Sequence, residues 1–215
     1  MSNKIKIDIV SDVVCPWCVI GYGNLTKAIS ELGLEGKVEI EWQPFELNPD
    51  MPSEGEELGA HSARKYGSTP ESSAKFRTEM TAHGKTVDFD FHYFEGMKII
   101  NTRDAHILLE YAKKQGKQTA LKMRLFSAFF TEKKDISKRD VLAKEIATVG
   151  LNVEEAMAHL QSSKAIEAVI EQESYWQKLG VSSVPTVVFN RKSALAGAQP
   201  VEAFKQILAE HLENS

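Results

Sequence analysis

Apolar and polar residues alternate from Lys4 to Val10, and Ile5, Ile7 and Ile9 fall on one face, which predicts a strand. After a short loop over Ser11–Val14 the period lengthens. Ile20, Leu25, Ala28, Ile29 and Leu32 recur near helical spacing, predicting a helix from Pro16 to Leu32 with Gly33 as its stop. Pro16 suits the first helical position, where the missing N–H has no intrahelical partner to lose. Gly21 and Gly23 each cost that helix about 1 kcal/mol relative to Ala. Val38–Trp42 alternates again as a second strand, and Pro44, Pro49 and Pro52 mark a turn-rich exit.

The middle of the chain changes character. Helical patterns are predicted over Glu57–Tyr66, Pro70–His83, Lys117–Phe130, Lys138–Val149, Val153–Gln161 and Lys164–Leu179. Asn101-Thr102-Arg103-Asp104 reads as a cap before a further helix carrying Ala105, Leu108, Leu109 and Ala112 on one side. The alternating piece Val87–Tyr93 fits no state cleanly. Strand character returns with Val184-Pro185-Thr186 and the apolar run after it; Ser193–Gly197 can pair with that run as a hairpin, and Pro200–Leu212 closes as a helix. Strands at both ends around a helical middle predict an α/β fold with a large all-helical insertion. Residues 1–50 and 176–215 would form the α/β unit, and 51–175 the helical insertion.

Composition narrows the function classes. Of 215 residues, 42% are hydrophobic and 26% charged, as in ordinary globular proteins. The net charge of -4 provides no basic footprint for nucleic acid. No apolar run approaches the roughly 18 residues that span a bilayer. The first residues are too charged and too short in apolar run for a signal peptide, so the fold is expected to begin almost at Met1, in the cytoplasm.

The only two cysteines, Cys15 and Cys18, stand in C-x-x-C spacing where the first strand hands over to the first helix. Such a pair is a redox unit, half a metal site, or a small disulfide staple. Zinc needs two further ligands, no second cysteine pair exists, and none of the six histidines pair at helical spacing. A three-residue loop gains little from a staple, and the cytoplasm keeps thiols reduced. In the redox reading Cys15 is the attacking thiol. Its sulfur sits where first-turn N–H groups and the helix dipole favour a thiolate, the dipole contributing at most about 2 kcal/mol. Cys18, one turn further in, resolves the mixed disulfide. Trp17, between them with Pro16, is expected to contribute contact surface. No metal and no bound cofactor beyond the dithiol itself are expected.

Val184-Pro185-Thr186 on its own is an ordinary proline at a strand start. Together with Cys15-Pro16-Trp17-Cys18 it resembles the DsbA-like branch of the thioredoxin superfamily, most closely the FrnE-like group of dithiol-disulfide isomerases. Ser11-Asp12-Val13-Val14 before the dithiol, Asn101–His106, Leu125–Thr131, Gly180–Thr186 and Gly197–Pro200 extend the resemblance over almost the whole chain. It implies a thioredoxin-like fold, a cis Pro185 beside the dithiol, and Val184 backbone groups that pair with an extended substrate, as in strand addition. It also implies that residues 50–175 cover the active face as a lid. The implied substrate is a disulfide-bearing protein or a small thiol, with glutathione a candidate co-substrate and a dimer one open option for assembly.

Two departures limit the carry-over: secreted DsbA enzymes have a signal peptide and a His within the dipeptide, and neither stands here. Kappa-type glutathione transferases and hydroxychromene carboxylate isomerases share the architecture but place Ser at the position of Cys15. A glutathione-dependent transferase or isomerase is therefore the alternative reading, and both cysteines argue against it.

Remaining signals read as structure. Gly21 and Gly23 lack the third glycine of a dinucleotide fingerprint and imply close helix packing. Asn24-Leu25-Thr26 is a glycosylation sequon by letter only. Phe126, Phe129 and Phe130 with Leu121 and Leu125 form a core or lid-lining stripe. His106 either faces the active cleft or is structural, and Lys133, Lys134, Lys138 and Arg139 form a solvated face.

Overall fold

A computed structural model describes residues 4–213; the expectation of a start at Met1 concerns residues 1–3, which lie outside these. Strand β1 (Ile5–Ser11) is central. It pairs in parallel with β2 (Val38–Pro44) and antiparallel with β5 (Thr186–Phe189), which pairs antiparallel with β6 (Ser193–Ala196), giving the order β2-β1-β5-β6. Ile5, Ile7 and Ile9 are buried on one face as the alternation predicts, packing in the core that contains α1 (Pro16–Glu31) and α9 (Val201–Glu213). The other face is buried too, since Val10 packs with Phe45, Val188 and Trp176 of α8 (Ser163–Lys178). A parallel pair covered on both sides is the arrangement expected of a central strand in an α/β sheet.

The insertion carries α2 (Leu58–Tyr66), α3 (Pro70–Lys85), α4 (Arg103–Lys114), α5 (Gln118–Phe126), α6 (Arg139–Thr148) and α7 (Val153–His159), with α8 leading back to the sheet. It is not wholly helical, because β3 (Glu56–Glu57) and β4 (Lys98–Ile99) pair as a two-residue antiparallel ribbon. Pairs that short carry no alternation for a sequence to display. The helix expected over Lys117–Phe130 divides: α5 ends at Phe126 and a π-helical turn, Ser127–Thr131, continues it. That turn sets Phe129 and Phe130 into the aromatic cluster with Phe89 and Phe91, the stretch whose alternation suited no single state. Before α4, Thr102 occupies the cap position without a side-chain bond, and Asn101 Oδ1 accepts the Arg103 N–H at 3.0 Å instead. One continuous core runs from the β1–α1–α9 layer through Trp42 and Phe126 into α4, α6 and α7. The basic surface run is ion-paired: Lys134 with Glu132 and Glu145, Arg139 with Asp104.

Gly21 and Gly23 do mark close packing. A Cβ on Gly21 would lie 3.0 Å from Pro185 Cγ, and one on Gly23 would lie 2.4 Å from Val87 Cβ. Gly84 in α3 is equally tight, here against backbone, with an added Cβ 2.4 Å from the Phe89 carbonyl oxygen and 2.6 Å from the Phe91 ring. Gly84→Ala is therefore expected to destabilise by about 1–3 kcal/mol, although Ala is worth about 1 kcal/mol more than Gly in a free helix. Thermal unfolding would show the midpoint falling, and a midpoint that rises would mean the chain at Phe89 yields to the methyl group.

Candidate active site

Cys15 ends the loop after β1 and caps α1 with extended geometry (φ -96°, ψ 109°) and no side-chain cap bond, so its sulfur is free to point away from the helix. Pro16 and Trp17 follow in the first turn, and Cys18 N–H donates to the Cys15 carbonyl at 3.1 Å. Both cysteines are free thiols. The Val184–Pro185 peptide bond is cis. The Cys15 thiol donates to the Val184 carbonyl at 3.8 Å across 169 residues of sequence. Pro185 is held between Gly21 and the chain at Gly197, whose N–H donates to the Pro185 carbonyl at 2.7 Å. Thr186 is buried, stands opposite Val10 in the β1–β5 register, and donates its hydroxyl to the Ser183 carbonyl at 2.8 Å. The structure thus brings Cys15, Cys18, Pro16, Trp17, Val184, Pro185 and Thr186 into one place. Trp17 is 37% exposed and packs on Phe76 and His83 of α3, which brings the insertion to the rim of the dithiol.

The acidity of the sulfurs departs from the helix-start expectation. Cys15 is only 3% exposed and Cys18 is fully enclosed. Burial pushes the Cys15 thiol well above its ordinary range, and its hydrogen bond to Cys18 adds to this, although the Cys18 amide reaches its sulfur as expected. For Cys18, burial is outweighed by the hydrogen bond from Cys15, the Lys122 ammonium and the Ser11 hydroxyl, so its thiol lies below the ordinary range. Of the two coupled thiols, the inner one, Cys18, is therefore the more readily ionised.

Beneath the dithiol lies a buried polar network that the sequence reading missed, apart from His106. Asp12 Oδ1 accepts the Val13 N–H at 2.7 Å and lies 3.1 Å from His106 Nε2, and Asp12 Oδ2 accepts the Leu47 N–H at 2.8 Å. Burial opposes the Asp12 charge, but the His106 bond and its neighbours hold the carboxyl below the usual range. His106 is thus a buried, hydrogen-bonded histidine whose partner, Asp12, lies in the loop before the dithiol. Behind it, Arg103 donates to Glu46 Oε1 at 2.8 Å, and the Glu46 N–H donates to Glu173 Oε1 at 2.7 Å. Lys122 of α5 enters from the other side, with its ammonium over the rings of Trp42 (5.2 Å) and Phe126 (5.0 Å). The available signal for Lys122 was its place among Gln118, Leu125, Phe126 and Phe129, where a lysine stands on an otherwise buried helical stripe. Asp12 lay in plain view beside Cys15, but a loop aspartate gives no sign of its burial. Among the described residues, no cluster of three or more His, Cys, Asp or Glu side chains is placed to hold a metal ion, and no helix is long and apolar enough to cross a membrane.

A thioredoxin-like sheet, a dithiol at the first helix start and a helical insertion between the two sheet halves define the class. Residues 6–209 match the DSBA-like thioredoxin domain, and the chain belongs to that family, whose members are redox enzymes or isomerases. It is 25% identical over 209 residues to the uncharacterized protein YwbO of Bacillus subtilis (strain 168), covering 96% of each chain. A probable DsbA oxidoreductase from Streptomyces coelicolor superposes with a TM-score of 0.92 at 26% identity, over 98% of this chain and 91% of that one. The cytosolic disulfide reductase DsbM from Pseudomonas aeruginosa shares the fold, with a TM-score of 0.67 at 16% identity over 98% and 100% of the two chains.

The paired carboxylates Glu46 and Glu173 give a pH signature. Burial first, then the Glu46 charge, push Glu173 up to about 7 from an ordinary 4.5. A raised folded value means that this group's contribution is fully present below about pH 4.5 and is lost as pH rises through about 7. Glu173→Gln keeps an oxygen for the Glu46 N–H and removes the titration. Urea unfolding should find the variant close to wild type in acid and more stable than wild type in mild alkali. A difference independent of pH would show that Glu173 does not titrate in this range.

Proposed function

We propose that this protein is a thiol–disulfide oxidoreductase or isomerase in which Cys15 attacks and Cys18 resolves. The observation that carries this reading is the Cys15 sulfur beside the Val184 carbonyl and Pro185, next to a second thiol one helical turn away. Acidity favours charge on Cys18 and access favours Cys15, the outer of the two sulfurs. A proton passing from Cys15 to Cys18, one helical turn away, places the charge on Cys15 at the moment of attack. Cys15 then bonds to one sulfur of a substrate disulfide, the substrate S–S bond breaks, and the leaving thiolate takes the proton held on Cys18, which leaves Cys18 as a thiolate. Cys18 next attacks the Cys15 sulfur, forming the Cys15–Cys18 disulfide and releasing the second substrate thiolate. The substrate gains two electrons and the dithiol loses two; an external thiol returns them, or the steps run in reverse to oxidise a substrate.

Val184, next to Pro185, would align an extended substrate segment, and Trp17, Tyr66 and Phe76, all partly exposed, would form its apolar contact surface. The proposed substrates are disulfide-bearing proteins or small disulfides in the cytoplasm, with glutathione as the small thiol partner. The related fold of DsbM, described as cytosolic and also solved with GSH, supports that choice. The presence of both cysteines favours exchange over a transferase or isomerase built on a single hydroxyl at the position of Cys15.

Cys15→Ser is expected to lower reduction of a model disulfide to the uncatalysed background. Cys18→Ser is expected to stall after the first attack and accumulate a mixed disulfide visible as added mass on the protein. Undiminished turnover in Cys15→Ser would refute the assignment.

A further inference from the structure

We propose that Lys122 is a positioning residue of the dithiol: α5 of the insertion delivers its ammonium as the counter-charge of the resolving sulfur, Cys18. This deepens the exchange reading and rests on Cys15 and Cys18 being the reactive pair.

Lys122 is 1% exposed, and an ammonium withdrawn from water to that extent is strongly destabilising unless an opposite charge faces it. Among the described residues, no carboxylate lies within salt-bridge distance of its Nζ; the hydrogen bond it makes is to the Ser11 carbonyl, at 3.5 Å. The Trp42 and Phe126 rings cradle the ammonium without neutralising it. Asp12, the nearest acid, has its two oxygens committed to the Val13 and Leu47 N–H groups and to His106. The remaining anionic group is the sulfur pair. Ser11 leads from Lys122 to the dithiol loop, because its carbonyl accepts from Lys122 and its hydroxyl donates to the Asp12 carbonyl at 3.4 Å, which also accepts the Cys15 N–H at 3.4 Å. The charges that face Lys122 are, in order of strength, Cys18, Asp12 and Cys15, set against burial that pulls its own pKa down to about 8. Met in the same stripe would pack at no electrostatic cost, so stability alone does not account for a lysine here.

The counter-charge also ties the insertion to the chemistry. Lys122 belongs to the insertion, whereas Cys18 belongs to the first helix of the α/β unit. The contribution of Lys122 to the resolving thiolate is present only when α5 is docked against β2.

The test reads the thiol itself. In Cys15→Ser protein Cys18 is the sole thiol, and its ionisation is followed by ultraviolet thiolate absorbance against pH. Adding Lys122→Met is expected to raise the midpoint by at least about one pH unit, a tenfold loss of thiolate below the midpoint. Lys122→Arg, which keeps the charge, should move it less. In protein with both cysteines, Lys122→Met should make the dithiol more reducing against a glutathione buffer, about 30 mV for each tenfold change in the equilibrium constant. The thermal midpoint of Lys122→Met is expected to equal or exceed that of wild type. Lys122→Gln provides the same thiol readout if the methionine variant does not fold.

An unchanged Cys18 midpoint in the neutral variants overturns the proposal, even if turnover falls. The two readings fail separately: a wild-type protein inactive in exchange but with a Lys122-dependent midpoint would refute only the exchange reaction.

Discussion

The antiparallel pairing of β1 with β5 is the constraint on which the rest depends. It sets Val10 opposite Thr186, so the loop leaving β1 and the turn entering β5 emerge at the same end of the sheet. Cys15 therefore meets Val184 although 169 residues separate them. Everything between is free to be an insertion, provided its ends return to the sheet. The insertion returns through α8, whose Trp176 covers the second face of the sheet, and that cover is part of what makes the central strand dry.

Dryness then governs the electrostatics. With Asp12, Cys18 and Lys122 all enclosed, each charge must be matched by hydrogen bonds or by another charge, because unpaired charge in a low-dielectric interior is strongly unfavourable. Asp12 is matched by two backbone N–H groups and His106. The sulfurs are matched by each other, by Ser11 and by Lys122. The network beyond them, Arg103–Glu46–Glu173, holds two carboxyl groups whose protons are bound more tightly than usual, first because of their burial and, for Glu173, then because of the Glu46 charge. A dithiol set on such a network has its acidity decided from beneath, by the residues packed under it.

How much of this was legible along the chain varies with the range of the interaction. The strands at Ile5–Ser11 and Val38–Pro44, α1 from Pro16, the helices of the insertion and the final hairpin all follow from local periodicity, because each buries one face of its own segment. The β3–β4 ribbon and the π-helical turn at Ser127–Thr131 did not show, since one is two residues per strand and the other continues a helical pattern without a break. The cysteine pair and the Val184-Pro185-Thr186 turn were visible as motifs, and the resemblance they carry placed them in one site. The acidity expected for Cys15 was visible only in part. The helix start does offer it an amide, but burial outweighs that amide, and burial is a property of the packed chain.

By itself, then, the sequence determined the α/β architecture with its insertion and the position of the dithiol at a strand-to-helix junction, because these rest on spacing and local periodicity; the turn that faces the dithiol followed from the family resemblance alone. Only the tertiary structure decided which sulfur is the more buried and which polar groups lie around the pair. Asp12, His106 and Lys122 come from a loop and two insertion helices, and nothing in their own neighbourhoods in sequence marks them as partners. They come together when three packed elements exclude water around them, and that exclusion makes an aspartate, a histidine and a lysine one buried network beneath the two cysteines.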